Sequence, residues 1–261
     1  MTKAPDPMTD HEPVLLEITD FVATITLNRP DRSNAIDLST ARRLADVIAE
    51  IERSHARVVL LRAKGDTFCV GGDLTVMAAA PDTGSFLAEL ATEMHRAVLR
   101  LHRLDIPVVA AVQGAVAGAG LGLVLAADLV VAADSSRFRT AYSGVGLTPD
   151  CGVTYWLPRA IGSQRALAML MFNRVIDAET AREWGLVGHV VPAGELEEQA
   201  TAMAEGIAAG PFQALGQSRR LVRDSVTRSL TEQLDVEAEA IARAAAGADA
   251  QGRIAAFIGR H

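Results

Sequence analysis

Two stretches of this chain give up side chains where chemistry can use the space. The first is Phe68-Cys69-Val70-Gly71-Gly72-Asp73-Leu74. The second is Gln113-Gly114-Ala115-Val116-Ala117-Gly118-Ala119-Gly120-Leu121-Gly122. Small residues let a ligand lie against bare backbone, and two such loops can aim two amide N–H groups at one oxygen. That arrangement holds a carbonyl oxygen that turns negative during a reaction. Downstream of both, Asp150 in Gly146-Leu147-Thr148-Pro149-Asp150-Cys151-Gly152 offers a carboxylate that can move a proton. Each feature also has a purely local use. Glycine-rich loops make tight turns and close helix packing, Asp150 can cap a helix beginning near Cys151, and Asp73 can cap or turn the chain after two glycines.

Other chemistries find less support. Gly118 to Gly122 lacks the G-x-G-x-x-G spacing of a dinucleotide site. Ser143 has no glycine two positions before it, so there is no nucleophile elbow. Cys151 could act as a nucleophile, but no histidine lies close in sequence, and both it and Cys69 read as packing residues. His11, His55, His102, His189 and His261 show no metal-ligand spacing. His95 reads as a partly buried helix residue. Arg219, Arg220 and Arg223 read as a solvated basic helix face, with a phosphate contact as the alternative.

These loops need elements to position them. Residues 14–18 and 22–27 are β-rich runs around Thr19-Asp20, which predicts a hairpin. Ser39 can cap a helix running to about residue 53 with Leu44, Val47, Ile48 and Ile51 on one face. Residues 58–61 and 108–112 read as buried strands, each ending near a glycine stretch. Residues 86–104 form an amphipathic helix, 119–126 a short helix, 129–132 a strand and 187–191 another. Residues 74–90 read as a mobile flap shaping the ligand pocket, with Met77 able to fill space or move aside. The helix–strand order, with continuously apolar strands, predicts an α/β layered core. Beyond Asp150 helices dominate, at 166–172, 178–184, 196–209, 218–225, 230–246 and 249–258. We expect a flexible tail over 1–12, a core over 13–200 and a helical oligomerisation region over 201–261.

Composition narrows the partners. The chain has 261 residues, 49% of them hydrophobic and 4% aromatic, with a formal charge of −7. The core is therefore aliphatic, and neither a basic surface nor an aromatic platform for nucleic acid is present. Two cysteines cannot build a disulfide framework. No signal-peptide pattern or membrane span is visible, which predicts a cytoplasmic protein.

The loop motifs, together with Leu27-Asn28-Arg29-Pro30, the run 107–114, Ala127-Asp128 and Glu183-Trp184-Gly185-Leu186-Val187, resemble the crotonase superfamily, the enoyl-CoA hydratase/isomerase family. The resemblance covers nearly the whole chain. It implies a ClpP-like spiral of ββα units with a C-terminal helical trimerisation region, an acyl-CoA thioester as ligand, and a homotrimer or dimer of trimers. Coenzyme A would be part of the substrate, with no further cofactor and no metal. The amides of Gly72 and Ala119 would form the oxyanion hole, the latter aided by the start of a helix. Asp31, Ser33 and Ala35 would hold the CoA, continued by Gly71, Asp73 and Leu74. Phe257 and Arg260 would reach it from the C-terminus, often from a neighbouring subunit.

Departures from the family pattern are informative. Gly122 and Tyr142 stand at the two positions where a hydratase carries glutamates. The Asp150 segment resembles isomerase members of the 1,2-epoxyphenylacetyl-CoA isomerase kind, which implies Asp150 as a proton shuttle in an enoyl-CoA isomerase. A second resemblance, to dehalogenases of 4-chlorobenzoyl-CoA, makes His95 a water-activating residue beside an ester on Asp150. Tyr142 could bond Asp150 or the substrate, or serve as wall. A non-catalytic acyl-CoA binder is the third reading.

Overall fold

The computed structural model describes residues 12–259. Strands β1 (Val14–Thr19) and β2 (Val22–Leu27) form the expected hairpin. Its turn places Asp20 and Phe21 at φ +48° and +69°, the left-handed pair that a two-residue hairpin requires. Helix α1 (Leu38–Glu52) follows, and its cap is Asp37 rather than Ser39. The Asp37 carboxylate accepts the Thr40 N–H at 2.8 Å, while the Ser39 hydroxyl merely donates to that same carboxylate. A carboxylate one residue ahead of the first turn wins because it also suits the positive end of the helix.

β3 (Val58–Ala63), β4 (Val108–Val112), β6 (Leu129–Ala133) and β9 (His189–Val191) extend a six-stranded sheet in the order β1-β2-β3-β4-β6-β9. Only the β1–β2 pair is antiparallel. The apolar strand runs follow from cover on both faces. Val59, Leu61, Ala110 and Val112 pack toward α1 and α3 (Thr83–Arg103). Val58, Leu60, Val109, Ala111 and Val131 pack against Leu196, Ala200, Ala204 and Ala208 of α8 (Leu196–Ala209). α8 packs on β2, β3, β4 and β6, and residue 200 lies within it.

A second sheet, of short strands absent from the sequence reading, joins β5 (Ala115–Ala117), β7 (Arg137–Arg139) and β8 (Ile176–Asp177). Isolated bridges link Ile36 to Gly72 and Cys69 to Val116, so the first glycine loop lies against the second turn of the spiral. Residues 74–90, read as a flap that shapes the pocket, line it through Leu74, Met77, Leu87 and Leu90. They hold α2 (Leu74–Ala79), capped by Asp73, and the start of α3, capped by Asp82.

The later helices are α4 (Ala119–Ala126), α5 (Val153–Ile161), α6 (Ser163–Phe172), α7 (Ala178–Glu183), α9 (Phe212–Asp224), α10 (Leu230–Ala245) and α11 (Ala248–Ile258). The basic stripe on α9 is only partly a solvated face: Arg220 is exposed, but Arg219 and Arg223 turn inward. Arg219 is buried and pairs with Asp128 at 2.6 Å, and it donates to the carbonyls of Leu101, His102 and Leu104 at the end of α3. Arg223 binds the other Asp128 oxygen and the carbonyl of Ala126 at the end of α4. These guanidiniums satisfy helix-end carbonyls that have no partner within their own helices. Leu230, Leu234, Ile241, Ile254, Phe257 and Ile258 stay exposed on the last two helices. No helix among the described residues is long and apolar enough to cross a membrane.

Candidate active site

The two glycine loops meet backbone to backbone. A Cβ placed on Gly71 would lie 3.3 Å from Gly118 Cα, and one placed on Gly118 would lie 3.3 Å from Gly71 Cα. Both residues have positive φ, +95° and +52°, so glycine is needed for conformation as well as for room. Gly118 caps α4, and Ala119 opens it. The Ala119 N–H is therefore one of the orphan amides of a helix start. Neither it nor the Gly72 N–H donates to an acceptor among the described residues.

Gly120 and Gly122 in the first turn of α4 lack side chains because each is squeezed by a neighbouring cysteine. A Cβ on Gly120 would stand 2.7 Å from the Cβ of Cys69, and one on Gly122 would stand 2.7 Å from the Cβ of Cys151. Gly122 is thus filled space: a glutamate side chain there has nowhere to start.

Gly72 and Ala119 line a cavity of about 550 Å³ that Asp150 and Tyr142 also line. Met77, Leu87, Leu90 and Met94 give it an apolar wall. The Met77 side chain lies over Gly72, as the long adaptable filler expected from the sequence.

Asp150 does not cap α5. The cap residue is Gly152, with no side-chain bond to the helix. The Asp150 carboxylate instead accepts a 2.6 Å hydrogen bond from the Tyr142 hydroxyl. Burial, reinforced by the Asp150 charge, pushes the Tyr142 phenol far above its ordinary range, so it stays a proton donor to the carboxylate. Asp73, the other acid on the cavity lining, is buried, caps α2 and pairs with Arg29 at 3.1 Å. Among the described lining acids, only Asp150 has no cation beside it.

His95 is exposed on α3 rather than partly buried as the sequence suggested, and it stands outside the cavity lining. Its Nε2 accepts the Cys151 N–H at 3.1 Å. His95, Asp150 and Cys151 bring a ring nitrogen, a carboxylate oxygen and a sulfur within 4.8 Å of one another. Sequence spacing hides this group, because its members come from α3 and from the loop before α5. Metal binding would need the thiolate, and burial, followed by the Asp150 charge, pushes the Cys151 thiol well up. The ring nitrogen that faces the group is already engaged.

The predicted CoA contacts divide. Ala35, Gly71, Asp73 and Leu74 line the cavity, joined by Arg32 and Arg139, which the sequence reading did not single out. Asp31 and Ser33 lie on the turn just before Ala35 but are not on the lining. Phe257 is exposed on α11, away from this chain's cavity lining, and Arg260 lies outside the described residues.

The enoyl-CoA hydratase/isomerase family model matches residues 17–261, and the chain belongs to that family. Its architecture is the crotonase fold. A candidate enoyl-CoA hydratase/isomerase from Mycobacterium abscessus superposes with a TM-score of 0.91 at 35% identity, covering 95% of this chain and 96% of the other. Among characterised relatives, the 1,2-epoxyphenylacetyl-CoA isomerase of Escherichia coli is 35% identical over 95% of each chain. The trans-2-decenoyl-[acyl-carrier-protein] isomerase of Streptococcus mutans is 33% identical over 88% of this chain and 89% of its own.

Proposed function

We propose that this protein is an enoyl-CoA isomerase in which Asp150 shuttles one proton along the acyl chain. The carboxylate removes a proton from C2 of a 3-enoyl thioester. The electron pair of that C–H bond flows through the conjugated system onto the thioester oxygen, giving a dienolate. The amides of Gly72 and Ala119 hold that oxygen as it gains charge, a kind of contact whose loss typically raises a barrier by roughly 2.7–4 kcal/mol. Protonated Asp150 returns the proton at C4, and the double bond comes to rest at C2. The thioester carrier is the substrate's own coenzyme A, held along Ala35, Gly71 and Leu74.

The observation that carries this reading is one cavity lined by a carboxylate without a cation and by two residues whose amides have no acceptor among the described residues, with Gly122 closed to a second acid. Hydration needs a positioned water and a second carboxylate, for which Gly122 leaves no room. A hydrolytic route through an ester on Asp150 needs His95 as a base, but its inward nitrogen already accepts an N–H. The exposed apolar residues of α10 and α11 support a trimer built through the C-terminal helices.

The test is direct. A 3-enoyl-CoA incubated with the protein in deuterated water should give the conjugated 2-enoyl thioester, read by its ultraviolet absorbance. A 3-hydroxyacyl product, or tight binding of the thioester without turnover, would refute the isomerase reading.

A further inference from the structure

Asp150 is presented from a turn that an ordinary residue resists. Cys151 is fully buried at φ +51°, and Gly152 follows at +75°. Left-handed backbone is natural for glycine and uncommon for a residue with a Cβ, and it persists where the surroundings over-determine it. Two contacts hold it here. Gly122 of α4 packs against Cys151 from one side. From the other, the Cys151 N–H donates to His95 Nε2 at 3.1 Å, across 56 positions of sequence.

The held N–H belongs to the peptide joining Asp150 to Cys151. Releasing that plane removes one of the two contacts that hold the left-handed turn from which Asp150 reaches Tyr142 at 2.6 Å, and so loosens the placement of the carboxylate. An acceptor at Nε2 also fixes the tautomer, with the ring proton on Nδ1. The ring then has no lone pair facing Asp150 to act as a base.

We propose that His95 is a positioning residue: its Nε2 pins the Asp150–Cys151 peptide in the left-handed turn and so aims the Asp150 carboxylate at the acyl carbons. The aiming rests on Asp150 being the proton shuttle; the pin itself does not. The groove-facing wall and the pin come from one helix, since α3 carries Leu90 and Met94 on the cavity and His95 behind it.

Wild type, His95→Gln and His95→Ala separate the possibilities with two readouts. Glutamine can place its Oε1 near the lost Nε2 and accept the same N–H. Amide hydrogen exchange at Cys151 should speed up at least about tenfold in His95→Ala and return toward wild type in His95→Gln. Turnover of 3-enoyl-CoA should fall about 10²-fold in kcat for His95→Ala with KM held within about twofold, and recover in His95→Gln. Should the alanine variant not fold, His95→Asn, whose shorter amide cannot reach, replaces it. Wild-type exchange and kcat in His95→Ala would overturn the proposal. So would a protected amide with unrecovered kcat in His95→Gln, since that would assign ring chemistry to His95. Failure of the wild type to isomerise any 3-enoyl thioester would sink the Asp150 reading alone, while the exchange data would still decide the pin.

Discussion

Asp128 and Asp150 are both partly buried acids after a glycine-rich segment, and the molecule treats them in opposite ways. Asp128 has every oxygen committed: Arg219 and the Val108 N–H hold one, and Arg223 holds the other through two nitrogens. Asp150 receives a phenol on one oxygen and meets no cation among the described residues. Two guanidiniums and a backbone amide tie Asp128 to α3, α4 and α9 as a structural joint. Asp150 has a single neutral donor and sits on the cavity lining.

The sharpest break of this contrast is Asp150→Asn. It should lower kcat for 3-enoyl-CoA by ~10³-fold while the melting temperature stays within about 2 °C of wild type. Full activity in that variant would leave the two acids without a functional difference. Asp128→Asn should do the reverse. It strands Arg219, whose side chain is 4% exposed, beside Arg223, and removing one partner of a buried pair costs about 3–5 kcal/mol. Calorimetry should show a melting temperature lower by roughly 6–20 °C, given about 2–4 °C per kcal/mol for a chain of this size, and kcat at 20 °C nearly unchanged.

Tyr142→Phe probes the one donor that Asp150 has. A hydrogen bond to a charged group is worth about 1.5–3 kcal/mol, so kcat/KM should drop roughly 10- to 100-fold without unfolding the chain. An unchanged kcat/KM would reduce Tyr142 to a wall.

The smallest effect lies on the Asp128 side and depends on pH. Burial, helped by the charges of Arg223 and Arg219, holds the His102 ring below its ordinary range, and its Nδ1 meets the Arg223 guanidinium. The unfolded chain therefore binds that proton first as pH falls. Stability present above about pH 6.5, the ordinary imidazole value, is lost as pH drops toward the lower native one. His102→Asn keeps an acceptor for Arg223 and should flatten the fall in melting temperature between pH 7.5 and 5.5. An equally steep fall in the variant would acquit His102.

What could be read ahead of the fold follows the same division. Periodicity located α1 and α3, whose buried faces are written in local order. The glycine loops and Asp150 were visible because backbone exposure and a lone acid are local signals. Strands β5, β7 and β8, at two or three residues each, carry too little pattern to register. α2 reads as a loose alanine-rich stretch until Asp73 is seen capping it. The His95–Cys151 bond and the Arg219–Asp128 joint leave no trace in spacing, since each closes only when distant elements pack. Left-handed Cys151 was equally hidden: nothing in the residue type announces it.

The tight seat of Gly122 against Cys151 also limits what this backbone can become. Writing a glutamate at position 122 would not restore a water-adding enzyme, because the new side chain would first have to evict the very turn that presents Asp150. A second acid at position 122 therefore needs changes in the Cys151 turn as well, and a single substitution cannot supply them.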